Sequence, residues 1–152
     1  MGDIKVFIDS NIILNHLKGT IDLALLRATH NLYTNSIVLS EVLYVYLKAL
    51  TGLKSYQLKT KPKEITRRKK ELKELFLFFE AFIVLDMTEE TNKIALDMVI
   101  QNGLLPNDAL ILATCKLNGI THLLSFDDDF KNPCKKENIE LSSSIDELLF
   151  LN

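Results

Sequence analysis

The chain has 152 residues, 47% hydrophobic and 25% charged, with a formal net charge of −2. That is the size and balance of one ordinary globular domain, able to bury roughly 70% of the surface its unfolded form exposes. Only Cys115 and Cys134 are present, in no C-x-x-C spacing, which excludes a disulfide scaffold or zinc knuckle and favours a reducing, cytoplasmic setting.

The opening residues MGDIKVFIDS lack the basic and apolar regions of a signal peptide. The longest apolar stretch, Phe76–Leu85, contains Glu80 and is too short to span a bilayer. KVFID at 5–9 predicts a short buried strand ended by a polar residue. Ser10 or Asn11 is placed to cap a helix to about Leu17, and Thr20 to cap a second over 21–29. LYT, within 31–36, predicts a brief second strand. A helix then runs from Ser36 to about Leu50, stopped by Thr51 and Gly52. Residues 53–62 read as a polar, flexible connection. The next helix, Lys63 to Phe82, carries apolar residues at helical spacing, among them Ile65, Leu72, Leu75 and Phe79. A third strand is expected over 83–86, then a helix capped by Thr88 to about Gln101. Pro106, Asn107 and Asp108 open a further helix, closed by Asn118 and Gly119. THLLS at 121–125 and residues 139–141 predict the fourth and fifth strands, and Ser144 caps a last helix over 145–151. Repeated strand–helix units imply an α/β fold: a three-layer α/β/α sandwich with a central, mostly parallel sheet, in one domain over 1–152.

Charge is unevenly placed. Nine of the eighteen Lys and Arg fall between Lys54 and Lys73, against only Glu64 and Glu71, so that stretch carries about +7 and the remainder about −9. A basic arm can meet an anionic polymer, and an acidic remainder repels one unless cations intervene.

In open parallel sheets, ligands bind outside the carboxyl ends of the strands. Four carboxylates are expected at that edge. Asp9 ends the first strand, Asp127 follows the fourth, Asp108 sits in the first turn of its helix, and Glu41 lies a turn and a half into the Ser36 helix. Each has a structural reading. An Asp after a strand serves turns, Asp108 complements a helix dipole, and the run Asp127-Asp128-Asp129 suits a solvated loop. Glu41 is harder to explain so, because IVLSEVLYVYLKAL is apolar on nearly every face and a buried carboxylate needs a positive partner. Together, clustered acids repel and one takes up a proton unless a cation neutralises them. Mg²⁺ and Mn²⁺ prefer such oxygen ligands, and a pair of them can clamp a scissile phosphate and activate water.

With these pieces assembled, the sequence resembles the PIN-domain family, the nuclease fold of VapC-like toxins. The matching segments are FIDSNIIL (7–14), SIVLSEVL around Glu41, LPNDALILATC (105–115) and LLSFDDDF (123–130). The resemblance implies Asp9, Glu41, Asp108 and Asp127 as metal-binding catalytic acids, with Asp129 an additional or alternative ligand. It also implies supporting roles for Asn11 and Ser125. A metal-dependent ribonuclease using Mg²⁺ or Mn²⁺ is therefore expected, with an antitoxin protein and a homodimer among the associations the family implies. The basic arm makes Arg67, Arg68, Lys69 and Lys70 the candidates for RNA contact, against a plain solvated helix face.

His16, His30 and His122 are scattered and are not expected as ligands. No glycine-rich nucleotide motif is present, and the first strand lacks the D-x-D pair of an aspartyl phosphotransferase. The alternative to a nuclease is a non-cleaving RNA- or partner-binding module of the same fold.

Overall fold

Val6, Phe7 and Ile8 are fully buried, as a strand covered on both faces requires. They belong to β1 (Lys5–Ile8), the middle of a five-stranded sheet in the computed structural model, which describes residues 4–151. β2 (Asn31–Asn35) and β4 (His122–Leu124) flank β1. β3 (Ile83–Leu85) lies outside β2, and β5 (Glu140–Ser142) outside β4. Every pairing is parallel and the order is β3-β2-β1-β4-β5. Helices cover both sides.

That order contains one reversal. The chain moves outward from β1 to β2 to β3, then returns to place β4 on the other side of β1. The carboxyl ends of β1 and β4 therefore flank the crevice where a doubly wound sheet takes its ligand.

α1 (Ser10–Leu17) follows β1 directly and packs on α3 (Ser36–Thr51). Its cap is Asp9, whose side chain accepts from the Ser10 N–H; neither Ser10 nor Asn11 serves. α2 (Ala24–Thr29) starts three residues later than the sequence suggests, because Thr20 is engaged with Asn15. Asn35 caps α3 through its bond from the Val38 N–H, and Gly52, at φ 67°, ends it in the left-handed conformation that suits glycine.

The segment expected to be a flexible connection is helical: α4 (Ser55–Thr60), with Leu58 buried and Gln57 accepting from the Lys54 N–H. The single helix expected over 63–82 is two, α5 (Pro62–Thr66) and α6 (Lys69–Phe79). The break falls at Arg67 and Arg68, where local cation–carboxylate pairs to Glu64 and Glu71 hold the two sides. α6 buries Leu75 and Phe79, and its Phe78 ring stacks on His16 of α1 with centroids 5.1 Å apart.

α7 (Glu89–Asn102), capped by Thr88, packs on α8 (Pro106–Leu117). After β4 come a 3₁₀ turn (Asp128–Phe130) and α9 (Lys131–Lys136), a helix the sequence reading does not include. Pro133 is in the first turn, where its missing N–H leaves no bond unmade. Ser144 caps α10 (Ile145–Leu149), which stops two residues short of its expected end. One apolar cluster joins β1, β4, α1 and α8, with Phe7 and Phe130 its largest fully buried side chains. Among the described residues, no helix is long and apolar enough to cross a membrane.

Candidate metal centre

Ile8 pairs with Leu124 in register, and the Asp9 N–H donates to the Leu124 carbonyl at 3.1 Å. The next residues on the two strands, Asp9 and Ser125, are thus side by side at the reversal in strand order. Both are buried. The Ser125 hydroxyl donates to Asp9 Oδ2 at 2.6 Å, and Asn11 Nδ2 donates to the same oxygen at 3.2 Å. Asn11 Nδ2 also reaches Ser125 Oγ at 3.2 Å. The other carboxylate oxygen, Oδ1, accepts from the Ser10 N–H at 2.7 Å. Burial raises the Asp9 pKa, opposed by the hydrogen bonds from Ser125 and Ser10 and reinforced by the charge of Asp127.

Ser125 also orders the loop beyond it. Its Oγ accepts from the Asp127 N–H at 3.0 Å, and Asp127 Oδ1 accepts from the Asp129 N–H at 2.9 Å. The acidic run is therefore a folded turn, with Phe130 as its buried anchor. Asp108 approaches from the first turn of α8. One carboxylate oxygen from each of Asp108, Asp127 and Asp129 lies within 4.8 Å of the other two. Asp108 is pushed up to about 6, by burial first and then by the charges of Asp127, Asp9, Asp129 and Glu41. The other three acids read from the sequence, with Asp129, thus act electrostatically on the Asp108 carboxyl.

Glu41 corrects the sequence argument. Only Val38 and Val42 of α3 are buried, and Glu41 itself is exposed. It is no buried carboxylate in search of a counter-charge; the other helix faces are partly open to solvent. Its negative field still reaches Asp108. Asp129, expected as an additional or alternative ligand, belongs to the tight acidic group, whereas Asp9 lies beside it with its oxygens already bonded.

Arg67, Arg68, Lys69 and Lys70 sit at the α5–α6 junction, away from the strand ends in sequence and not among the charges that reach Asp108. Arg67 Nη1 pairs with Glu64 at 2.6 Å and Arg68 Nη1 with Glu71 at 3.4 Å; Lys69 and Lys70 are exposed. The thiols are poor nucleophiles: burial raises Cys115 well above its ordinary value and pushes Cys134 up to about 12.

One positioning pair escaped the sequence reading. Asn35, fully buried at the end of β2, donates from Nδ2 to Thr114 Oγ1 at 3.0 Å, tying the start of α3 to α8. A strand-ending Asn and a lone Thr in an apolar helix were the available signals.

A five-stranded parallel sheet with clustered carboxylates at its topological reversal is the architecture of a PIN-type acid centre, and the chain belongs to the PIN-domain family, whose profile matches residues 6–136. It is 38% identical over 146 residues to Ribonuclease VapC2 of Methanocaldococcus jannaschii, covering 93% of this chain and 97% of that one. Two solved structures share the fold. One is VapBC2 of Rickettsia felis bound to a promoter DNA fragment, with TM-score 0.60, 19% identity, and 91% and 98% of the two chains covered. The other is VapBC-1 of nontypeable Haemophilus influenzae, with TM-score 0.56, 17% identity, and 91% and 97% covered.

Proposed function

We propose that this chain is a metal-dependent endoribonuclease, the toxin of a toxin–antitoxin pair, acting as one PIN domain over residues 1–152. The observation that carries the reading is the convergence of Asp108, Asp127 and Asp129, beside Asp9, at the carboxyl edge of the sheet. The kinship to a protein named as a VapC ribonuclease supports RNA as the substrate.

The donor set fits a hard divalent cation. It is all carboxylate oxygen, and Asp108, raised first by burial and then by its acidic neighbours, sits among negative charges that Mg²⁺ or Mn²⁺ would offset. Asp108, Asp127 and Asp129 would hold the metal, with Asp9 and Glu41 completing the acidic field; the chemistry it would supply is positive charge for a scissile phosphate and a more acidic water. Ser125 and Asn11 fix the Asp9 carboxylate in one orientation, so that little rearrangement is needed at the moment of reaction. No protein nucleophile is required.

Arg67, Arg68, Lys69 and Lys70 are proposed to hold the RNA backbone outside the acid pocket. The VapBC complexes among its fold relatives support an antitoxin partner, and the exposed Phe76 and Leu77 of α6 offer apolar area for that partner or a second copy. The cytoplasm is the matching compartment.

The test is cleavage of single-stranded RNA by the purified chain with Mg²⁺, with Mn²⁺ and with excess chelator. Metal-dependent cleavage that Asp108→Asn abolishes is the expected result. Full activity in chelator overturns the mechanism, and salt-sensitive RNA binding without cleavage under either metal favours the non-cleaving module.

A further inference from the structure

Phe126 stands between two residues of the acid site, Ser125 and Asp127. Its N–H donates to Asn11 Oδ1 at 3.2 Å, so the side chain that holds Asp9 also holds the Phe126 backbone. The loop is fixed again by the Ser125 N–H on the Ser142 carbonyl and by the Asp127 N–H on Ser125 Oγ, both at 3.0 Å. On this rigid support the Phe126 ring is 44% exposed and lies outside the apolar core, whereas Phe130, four residues on, is fully buried. One Phe of the LLSFDDDF segment anchors the fold; the other does not.

The ring walls a cavity of about 440 Å³ together with Ile12, Leu25 and Leu149. That volume suits a small planar group. The charged residues lining it are Asp22 and Asp146, with no lysine or arginine among the described residues that line it. A phosphate is repelled there. An uncharged ring with amino groups at its edge is accepted, because it offers a face to Phe126 and donors to the carboxylates. A nucleobase has this chemistry, and base–aromatic stacking holds a base with little regard to sequence.

We propose that Phe126 is a base-binding residue: a nucleotide adjoining the scissile phosphate stacks on its ring and enters the cavity, while the phosphate remains over the acids. This rests on the ribonuclease reading of the neighbouring carboxylates.

The chain has no tryptophan, so Phe126→Trp installs a single fluorescent reporter. In the chain also carrying Asp108→Asn, titration with a single-stranded RNA oligomer is expected to quench the emission. A ribose–phosphate oligomer of equal length without bases is expected to leave it unchanged. On cleavable RNA, Phe126→Ala is expected to raise KM roughly 10- to 100-fold with a smaller change in kcat, and Phe126→Tyr to restore it. Circular dichroism verifies that each variant folds. RNA retained on a filter with unaltered emission, or a wild-type KM in Phe126→Ala, overturns the role of Phe126 and leaves the ribonuclease reading standing. A wild-type chain that neither binds nor cuts RNA removes both.

Discussion

Ser125 Oγ lies 2.6 Å from Asp9 Oδ2, joining two residues 116 positions apart at the adjacent ends of β4 and β1. The same hydroxyl oxygen accepts from the Asp127 N–H, so it couples the buried acid to the acidic turn. Ser125→Ala leaves Asp9 Oδ2 with the Asn11 bond alone and the Asp127 N–H without its partner. The expected loss is about 1–3 kcal/mol of folding stability, the range for a buried polar group deprived of its bond. Denaturant titration measures it. The Asp9 pKa is expected to rise further, since the Ser125 bond now lowers it.

Asp108 sets a pH dependence whose sign follows from its environment. Its folded pKa, about 6, lies above the ordinary carboxyl range near 4. The folded chain therefore holds the proton more tightly than the unfolded chain does. Metal-free stability is fully favoured by this group below the unfolded pKa and is lost as pH rises through about 6. The thermal midpoint of chelated protein is expected to climb between pH 7 and pH 5, and Asp108→Asn is expected to flatten that climb. A midpoint that falls over this range in the wild type contradicts it.

Divalent ions are expected to reverse the trend. Binding requires the carboxylates without their protons, so Mn²⁺ affinity falls as pH drops through about 6. At 100 times its dissociation constant, an ion that binds only the folded form adds about 2.7 kcal/mol to stability. Thermal denaturation with and without Mn²⁺ reads this directly, and Asp127→Asn is expected to abolish most of the increment.

The basic junction makes a prediction of a different kind. Arg67 and Arg68 belong to partly exposed i,i+3 pairs, worth about 0.2–1 kcal/mol each. Neutralising Lys69 and Lys70 is expected to leave stability nearly unchanged, because both are exposed and neither forms an ion pair among the described residues. It is expected to weaken RNA binding uniformly across sequences and to reduce the salt dependence by about one unit of slope for each phosphate no longer neutralised. Filter binding at several salt concentrations measures both.

Most of the sheet was legible because its strands are short apolar runs closed by polar residues: KVFI before Asp9, HLL before Ser125. The helices with strong starts were legible too, through Thr88 for α7 and Pro106 for α8. Residues 53–62 misled because their composition is polar, yet Gln57 closes a cap and Leu58 reaches the interior. The α5–α6 break left no clear mark, since apolar spacing continues across it while the backbone turns. Of the candidate site, Asp9, Asp127 and Asp108 announced themselves by their places after strands and at a helix start, whereas Glu41 was chosen for a burial it does not have. The partnership of Asn35 with Thr114 did not, because it depends on α3 and α8 meeting in three dimensions.

The reversal in strand order has a consequence for biosynthesis. Asp9 leaves the ribosome more than a hundred residues before the strand that stands beside it and the turn holding Asp127 and Asp129. A nascent or truncated chain lacking that last third has only part of the proposed centre. The centre is therefore assembled only when β4 and the acidic turn dock beside β1, at the end of folding rather than at its start.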